Sequence, residues 1–166
     1  MEGRGWTHRR HVLDVEMLVG DVVEEFRREV AGRDFAIECR TLRAQVEGDA
    51  EALGRALWNL LDNAVKYSDH SRAIEVGMDR QNGHVRVSVR DHGAGIAKPD
   101  QKRIFEAFVR AEESRRKGIQ GTGIGLALVR QIAAAHGGRV ELSSEPAQGS
   151  TFTLVLPLKE ARCSGS

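Results

Sequence analysis

Three glycine-rich turns, each set where one regular pattern gives way to another, constrain this chain more than anything else in it. Asp91-His-Gly93-Ala-Gly95-Ile96 closes a strand pattern, Gly121-Thr122-Gly123-Ile-Gly125-Leu126 opens a helix pattern, and Gly149-Ser150-Thr-Phe opens another strand. They follow, in that order, a helix-patterned stretch that carries two amides and a lysine, Asn59-Leu-Leu-Asp-Asn63-Ala-Val-Lys66-Tyr67. Without a Cβ, the main chain can turn sharply and lie close to a ligand. The set therefore reads as a nucleotide pocket. Neither of the two commonest phosphate cradles is present, since the chain has no Gly-x-x-x-x-Gly-Lys-Ser/Thr and no Gly-x-Gly-x-x-Gly.

At 166 residues the chain suits one domain with one core. Its 25 basic and 24 acidic residues leave a net charge of +1, which gives no field for nucleic acid or membrane surfaces. Cys39 and Cys163 are too few for a disulfide framework or a zinc site and suit a reducing compartment. No apolar run approaches the ~20 residues that span a bilayer.

The pattern along the chain alternates strands with helices. Residues 1–11 read as a leader and 159–166 as a disordered tail, around one domain at 12–158. Leu18, Val22, Val23, Phe26 and Val30 recur at helical spacing, which predicts a helix from Leu13 to Val30. Phe35, Ile37 and Cys39 alternate as a strand does, and Gln45 to Glu47 predicts another. Asp49 is a good N-cap for the long helix after it. Ile74, Val76 and Met78 form a strand joined through Asn82-Gly83, a strong hairpin turn, to Val85, Val87 and Val89. A helix from about Ile124 to Ala135 stops at Gly137-Gly138, and strands at Val140 to Ser143 and Thr151 to Leu156 complete the set. Such mixing favours an α/β fold, a mostly antiparallel sheet with helices on one face.

At one hundred degrees per residue, Leu53, Leu57, Leu61 and Ala64 fall on one side of the long helix, and Asn59, Asn63 and Lys66 fall on the other. A merely solvated face accounts for the lysine but not for asparagine at i and i+4, because asparagine is a mediocre helix former. An amide offers Mg²⁺ a carbonyl oxygen and phosphate an NH₂, and a lysine adds a point charge. Parity in the following strand places Asp91 with the inward valines. A buried carboxylate needs a donor, and an adenine amine supplies one. An ordinary Asp-x-Gly turn is the competing reading, and the closely following glycines weigh against it. The Gly121 turn leads straight into a helix, whose N-terminal N–H groups and dipole favour phosphate. Ser150 shares the inward parity of Phe152 and Leu154.

Between Ile96 and Gly121 lie 24 residues with seven basic and four acidic side chains, long enough to be a functional loop. Phe105-Glu-Ala-Phe108 lies within it. The five stretches, in this order, resemble the N, G1, F, G2 and G3 boxes of the GHKL ATPases, and in particular the ATP-binding domain of a bacterial sensor histidine kinase. The resemblance implies a Bergerat fold, a two-layer α/β sandwich with a mixed five-stranded sheet, three helices on one face and an ATP lid. It implies ATP and Mg²⁺ as cofactors. Asn63 would be the magnesium ligand, with Asn59 and Lys66 near the phosphates as the catalytic set and Tyr67 against the adenine. Asp91, Gly93, Gly95, Ile96 and Ser150 would hold the base. Gly121, Thr122, Gly123, Gly125 and Leu126 would hold the phosphates, with Arg110 of the lid beside them.

Residue 59 bears on the reaction. Hydrolytic members of the superfamily carry at that position a glutamate that activates water, and an amide cannot act as a base near neutral pH. The resemblance thus implies γ-phosphoryl transfer to a histidine. No His-Glu-x-x-Arg or His-Asp-x-x-Arg surrounds any of the six histidines, so the acceptor is expected on a separate dimerisation domain, with a response regulator downstream. The expectation is a cytoplasmic catalytic module, monomeric when isolated, without nucleic-acid or membrane contacts. Two rivals are an anti-sigma-type serine kinase or partner-switching module and an inactive nucleotide-binding scaffold.

Overall fold

The computed structural model describes residues 10–68, 71–105 and 125–159. Among these residues, seven strands and four α-helices follow one another as β1 (His11–Asp14), α1 (Val15–Glu29), β2 (Ala36–Arg40), β3 (Gln45–Gly48), α2 (Ala50–Tyr67), β4 (Ala73–Gln81), β5 (His84–Asp91), α3 (Lys98–Gln101), α4 (Gly125–Ala135), β6 (Arg139–Ser144) and β7 (Ser150–Pro157). A 3-10 turn at Arg103–Phe105 follows α3. Five strands form one sheet in the order β2-β4-β5-β7-β6, parallel only between β2 and β4. The mixed, mostly antiparallel sheet agrees with the expectation. The one-turn α3 is a fourth helix beyond the three expected.

The helix expected from Leu13 begins two residues later. His11–Asp14 is instead a strand, paired antiparallel with β3 in a separate two-stranded sheet. Asp14 makes the switch: its backbone is extended and its carboxylate accepts from Met17 N–H, so it ends β1 and caps α1 at once. With α1 starting at Val15, the buried stripe becomes Val15, Val19, Val22, Val23 and Phe26. Leu18 packs only partly against the core.

α2 fills the centre. Its Leu53, Leu57, Leu60 and Leu61 are essentially inaccessible, and α2 packs against β5, whose Val85, Val87 and Val89 lie in the same core. Phe26 of α1 stacks edge-on against Trp58 with centroids 4.9 Å apart. Asn82 and Gly83 both take positive φ, as a two-residue hairpin requires, and fix the β4–β5 register so that Val89 faces Val76 and Asp91 faces Ile74. Asp49 caps α2 through Glu51 and Ala52 N–H, and its own N–H donates to Nε2 of His136 at 3.0 Å. Because Nδ1 of His136 bonds the Ile132 carbonyl, that buried ring ties the end of α4 to the start of α2.

Candidate functional site

The strand ends opposite the Asn82-Gly83 hairpin form one pole of the molecule, and the candidate residues gather there. Register brings Asp91 of β5 beside Ser150 of β7, and Ser150 beside Ser144 of β6. Asp91 is 4% exposed and Ser150 5%. Parity therefore places both side chains inward, as the alternating pattern predicts. Asp91 Oδ1 accepts from Gly93 N–H at 2.9 Å. Burial pushes the Asp91 carboxyl above its ordinary range, while the Gly93 and Ser150 N–H groups and the nearby His92 pull it back. No ion pair reaches Asp91 among the described residues. It is an acid held at the bottom of the pole with acceptor capacity to spare.

The glycines of this pole are required by close backbone crossings. A Cβ on Gly93 would stand 1.9 Å from the Tyr67 carbonyl oxygen, and one on Gly95 would stand 2.0 Å from that of Glu145. Gly149, at positive φ, would meet the Asp91 carbonyl at 2.1 Å. The loop after β5 is thus pressed between the end of α2 and the β6–β7 turn. Ile96 N–H donates to Ser144 Oγ, and Gln101 Nε2 donates to the carbonyls of Ile96 and Ser144.

On α2, Asn59, Asn63 and Tyr67 are half-buried and Lys66 is exposed. Among the described residues no hydrogen bond occupies the side-chain amides of Asn59 or Asn63, whereas Lys66 pairs with Asp62 at 3.0 Å. Gly125, the first residue of α4, faces Asn59: a Cβ there would lie 3.6–3.8 Å from the amide side chain. An amide-bearing face and a helix N-terminus therefore meet, which suits phosphate oxygens. Leu126 is buried behind them. Arg110, Gly121, Thr122, Gly123 and Phe108 lie outside the described residues. Phe105, at the root of that segment, packs edge-on to Phe152 at 6.1 Å.

The donor set bears on the metal. Among the described residues no cluster of three His, Cys, Asp or Glu side chains exists. One or two amide oxygens fit a Mg²⁺ that keeps waters and arrives with the phosphates of its nucleotide.

Some members of the site escaped sequence reasoning. Ser144 and Gln101 carry no motif signal, because their role depends on which strand ends become neighbours. His92, next to Asp91, bonds Glu75 at 3.0 Å.

The family described as histidine kinase-, DNA gyrase B- and HSP90-like ATPases matches residues 48–160. The chain is 38% identical over 148 residues to the sensor-like histidine kinase SenX3 of Mycolicibacterium smegmatis, covering 87% of this chain and 38% of that one. It is 36% identical over 148 residues to the sensor histidine kinase YkoH of Bacillus subtilis, covering 86% and 32%. Among solved structures, the mycobacterial sensor histidine kinase MprB matches with a TM-score of 0.79 and 30% identity over 92% of this chain and 100% of that one. Full-length ShkA in complex with AMPPNP matches with a TM-score of 0.78 and 31% identity over 92% and 32%. The chain thus spans 38% and 32% of the two curated relatives.

Proposed function

The chain belongs to the family of histidine kinase-, DNA gyrase B- and HSP90-like ATPases, and from that premise we propose that it binds Mg-ATP at the Asp91 pole and donates the γ-phosphoryl group to a histidine on a separate dimerisation and phosphoacceptor domain. The observation that carries this reading is Asp91. It is a buried carboxylate without an ion pair among the described residues, set at the end of β5 beside Ser150 of β7 and close to Gly149 of the β6–β7 turn. An acceptor in that position matches the exocyclic amine of adenine. The phosphates then run toward Asn59, Asn63 and the start of α4. The complex of the similar ShkA with AMPPNP, an ATP analogue, supports the nucleotide class.

Transfer is favoured over hydrolysis because Asn59 is an amide where a water-activating carboxylate would be needed. The site's own residues bind, orient and exclude water. The attacking imidazole nitrogen forms the new P–N bond as the bond from the γ-phosphorus to ADP breaks. Magnesium, when bound, neutralises charge on the transferring group, and Asn63 is its proposed protein ligand. A response regulator would take the phosphoryl group next.

Mixing the protein with labelled ATP and an added dimerisation domain tests the reading. The expected product is acid-labile label on the added domain's histidine, with little label on this chain. Acid-stable label on serine or threonine, or no transfer despite tight ATP binding, overturns it.

A further inference from the structure

The hydroxyl chain beside Asp91 has a direction that its geometry dictates. Ser144 Oγ lies 3.0 Å from the Gly149 carbonyl, 2.8 Å from Ser150 Oγ and 2.7 Å from Ile96 N. A carbonyl oxygen only accepts, so the single Ser144 proton goes to Gly149. The Ile96 N–H only donates, so it takes one of the two Ser144 lone pairs. The remaining lone pair is left for Ser150, which must therefore be the donor in the Ser150–Ser144 bond. Ser144 is then saturated, with one bond given and two received. Ser150 has spent its only proton on Ser144 and keeps acceptor capacity alone.

That matters because Ser150 is the immediate cross-strand neighbour of Asp91 and shares its inward face. Resting on the reading of this pole as the adenine site, we propose that Ser144 is a positioning residue for base selection: it holds the Ser150 hydroxyl as an acceptor, so that Asp91 and Ser150 together present an acceptor-only wall. Such a wall fits a purine with an amino group at position 6 and repels one with a carbonyl oxygen there. The same hydroxyl also anchors the Gly95–Ile96 main chain, and Gln101 adds a second tie through the Ile96 and Ser144 carbonyls. Gln101 steadies the loop but does not set the direction of any hydroxyl. The two residues therefore separate shape from polarity.

The test compares ADP with IDP, whose bases differ at position 6 and in the proton that hypoxanthine carries on N1, by calorimetry on the whole chain; the change in their ratio on substitution, not the ratio itself, reads the polarity of Ser150. Wild type should prefer ADP. Ser144→Ala releases the Ser150 proton, which can then turn and donate to the 6-oxo group. ADP should weaken and the ADP-to-IDP preference should narrow by about three- to tenfold, the worth of one hydrogen bond. Gln101→Leu should weaken both nucleotides alike and leave the ratio unchanged. An unchanged ratio in a folded Ser144→Ala protein overturns the proposal, as does a ratio that narrows equally in Gln101→Leu. If the wild type binds neither nucleotide, the nucleotide reading itself has failed, and this proposal goes with it. A measurement without any variant guards against misfolding: the Ile96 amide should be strongly protected from hydrogen exchange in the free protein. Rapid exchange there would sink the hub.

Discussion

Two polar rows lie on opposite faces of the main sheet, one on β5, β7 and β6 and the other on β4, β5 and β6. On the helix-facing side, Asp91, Ser150 and Ser144 stand side by side at the strand ends. On the open side, Arg86 reaches Asp79 at 3.6 Å and Glu141 at 3.1 Å, and Glu141 takes Arg139 at 2.8 Å. On the same face Thr153 and Val155 of β7 are buried, with Arg86, Glu141 and Arg139 as their cross-strand neighbours. The open row holds two acids and two bases and asks nothing of a ligand. The buried row holds one acid, no base and two hydroxyls whose protons are already committed. The two carboxylates respond in opposite senses: burial pushes Asp91 up, whereas hydrogen bonds from Arg139 and Arg86 hold Glu141 down. On the proposed reading, the buried polarity left incomplete serves a ligand, and the exposed polarity that closes on itself serves the fold.

Asp91→Asn is the sharpest way to break this contrast. If the buried row is a binding wall, ADP affinity should fall about tenfold to a hundredfold in calorimetry, because a hydrogen bond to a charged group is worth ~1.5–3 kcal/mol. The free protein should melt at the same temperature or higher. The sign follows from the raised pKa: the stability tied to Asp91 is fully present below its ordinary 3.8 and is lost as pH rises through the raised value. At neutral pH the wild type therefore carries a desolvated charge that the amide lacks. The two melting curves should converge in acid. A large loss of stability at neutral pH with binding intact would make Asp91 a structural acid, like Glu141.

Asn63→Ala extends the buried side of the comparison to α2. A roughly tenfold loss of Mg-ATP affinity should shrink in EDTA, since the amide oxygen is proposed to act through the metal. Equal losses in both conditions would assign Asn63 to packing alone.

How much of this was legible in the sequence depended on the range of the interaction. Asp49 as a cap, the Asn82-Gly83 turn and the inward parity of Asp91 are local, and the structure has each where the pattern puts it. The strand at His11–Asp14 was not legible: four residues are too few to show alternation, and its partner is β3, beyond a whole helix. The helical spacing of Leu18 and Val22 simply ran backward across Asp14. Likewise the parallel pairing of β2 with β4 spans α2 and leaves no local mark. In the candidate site the glycines announced themselves, but the reason for Gly93 is the Tyr67 carbonyl on another element. Ser144, Gln101 and the buried His136 become meaningful only once distant strand ends and helix ends are brought together.

The smallest effect tests the open row. Glu141→Gln should cost only about 0.2–1 kcal/mol, because exposed ion pairs are screened by water. The loss should shrink in high salt, where the pairs are worth less, and ADP affinity should not change. The pH dependence must also run opposite to that of Asp91. Since the pKa of Glu141 is lowered in the fold, its contribution is present above the ordinary 4.5 and fades as pH falls through the folded value. Acid titration of wild type and variant, followed by thermal melts, should therefore show a constant gap from neutral pH down to about the ordinary 4.5 and a closing gap below it. For Asp91→Asn the gap also closes toward acid, but there it is the wild type that gains on the variant; for Glu141→Gln it is the wild type that loses its lead. If both variants moved in the same direction against wild type, the two rows would be doing one job, and position on the sheet would no longer tell a ligand-binding carboxylate from a structural one.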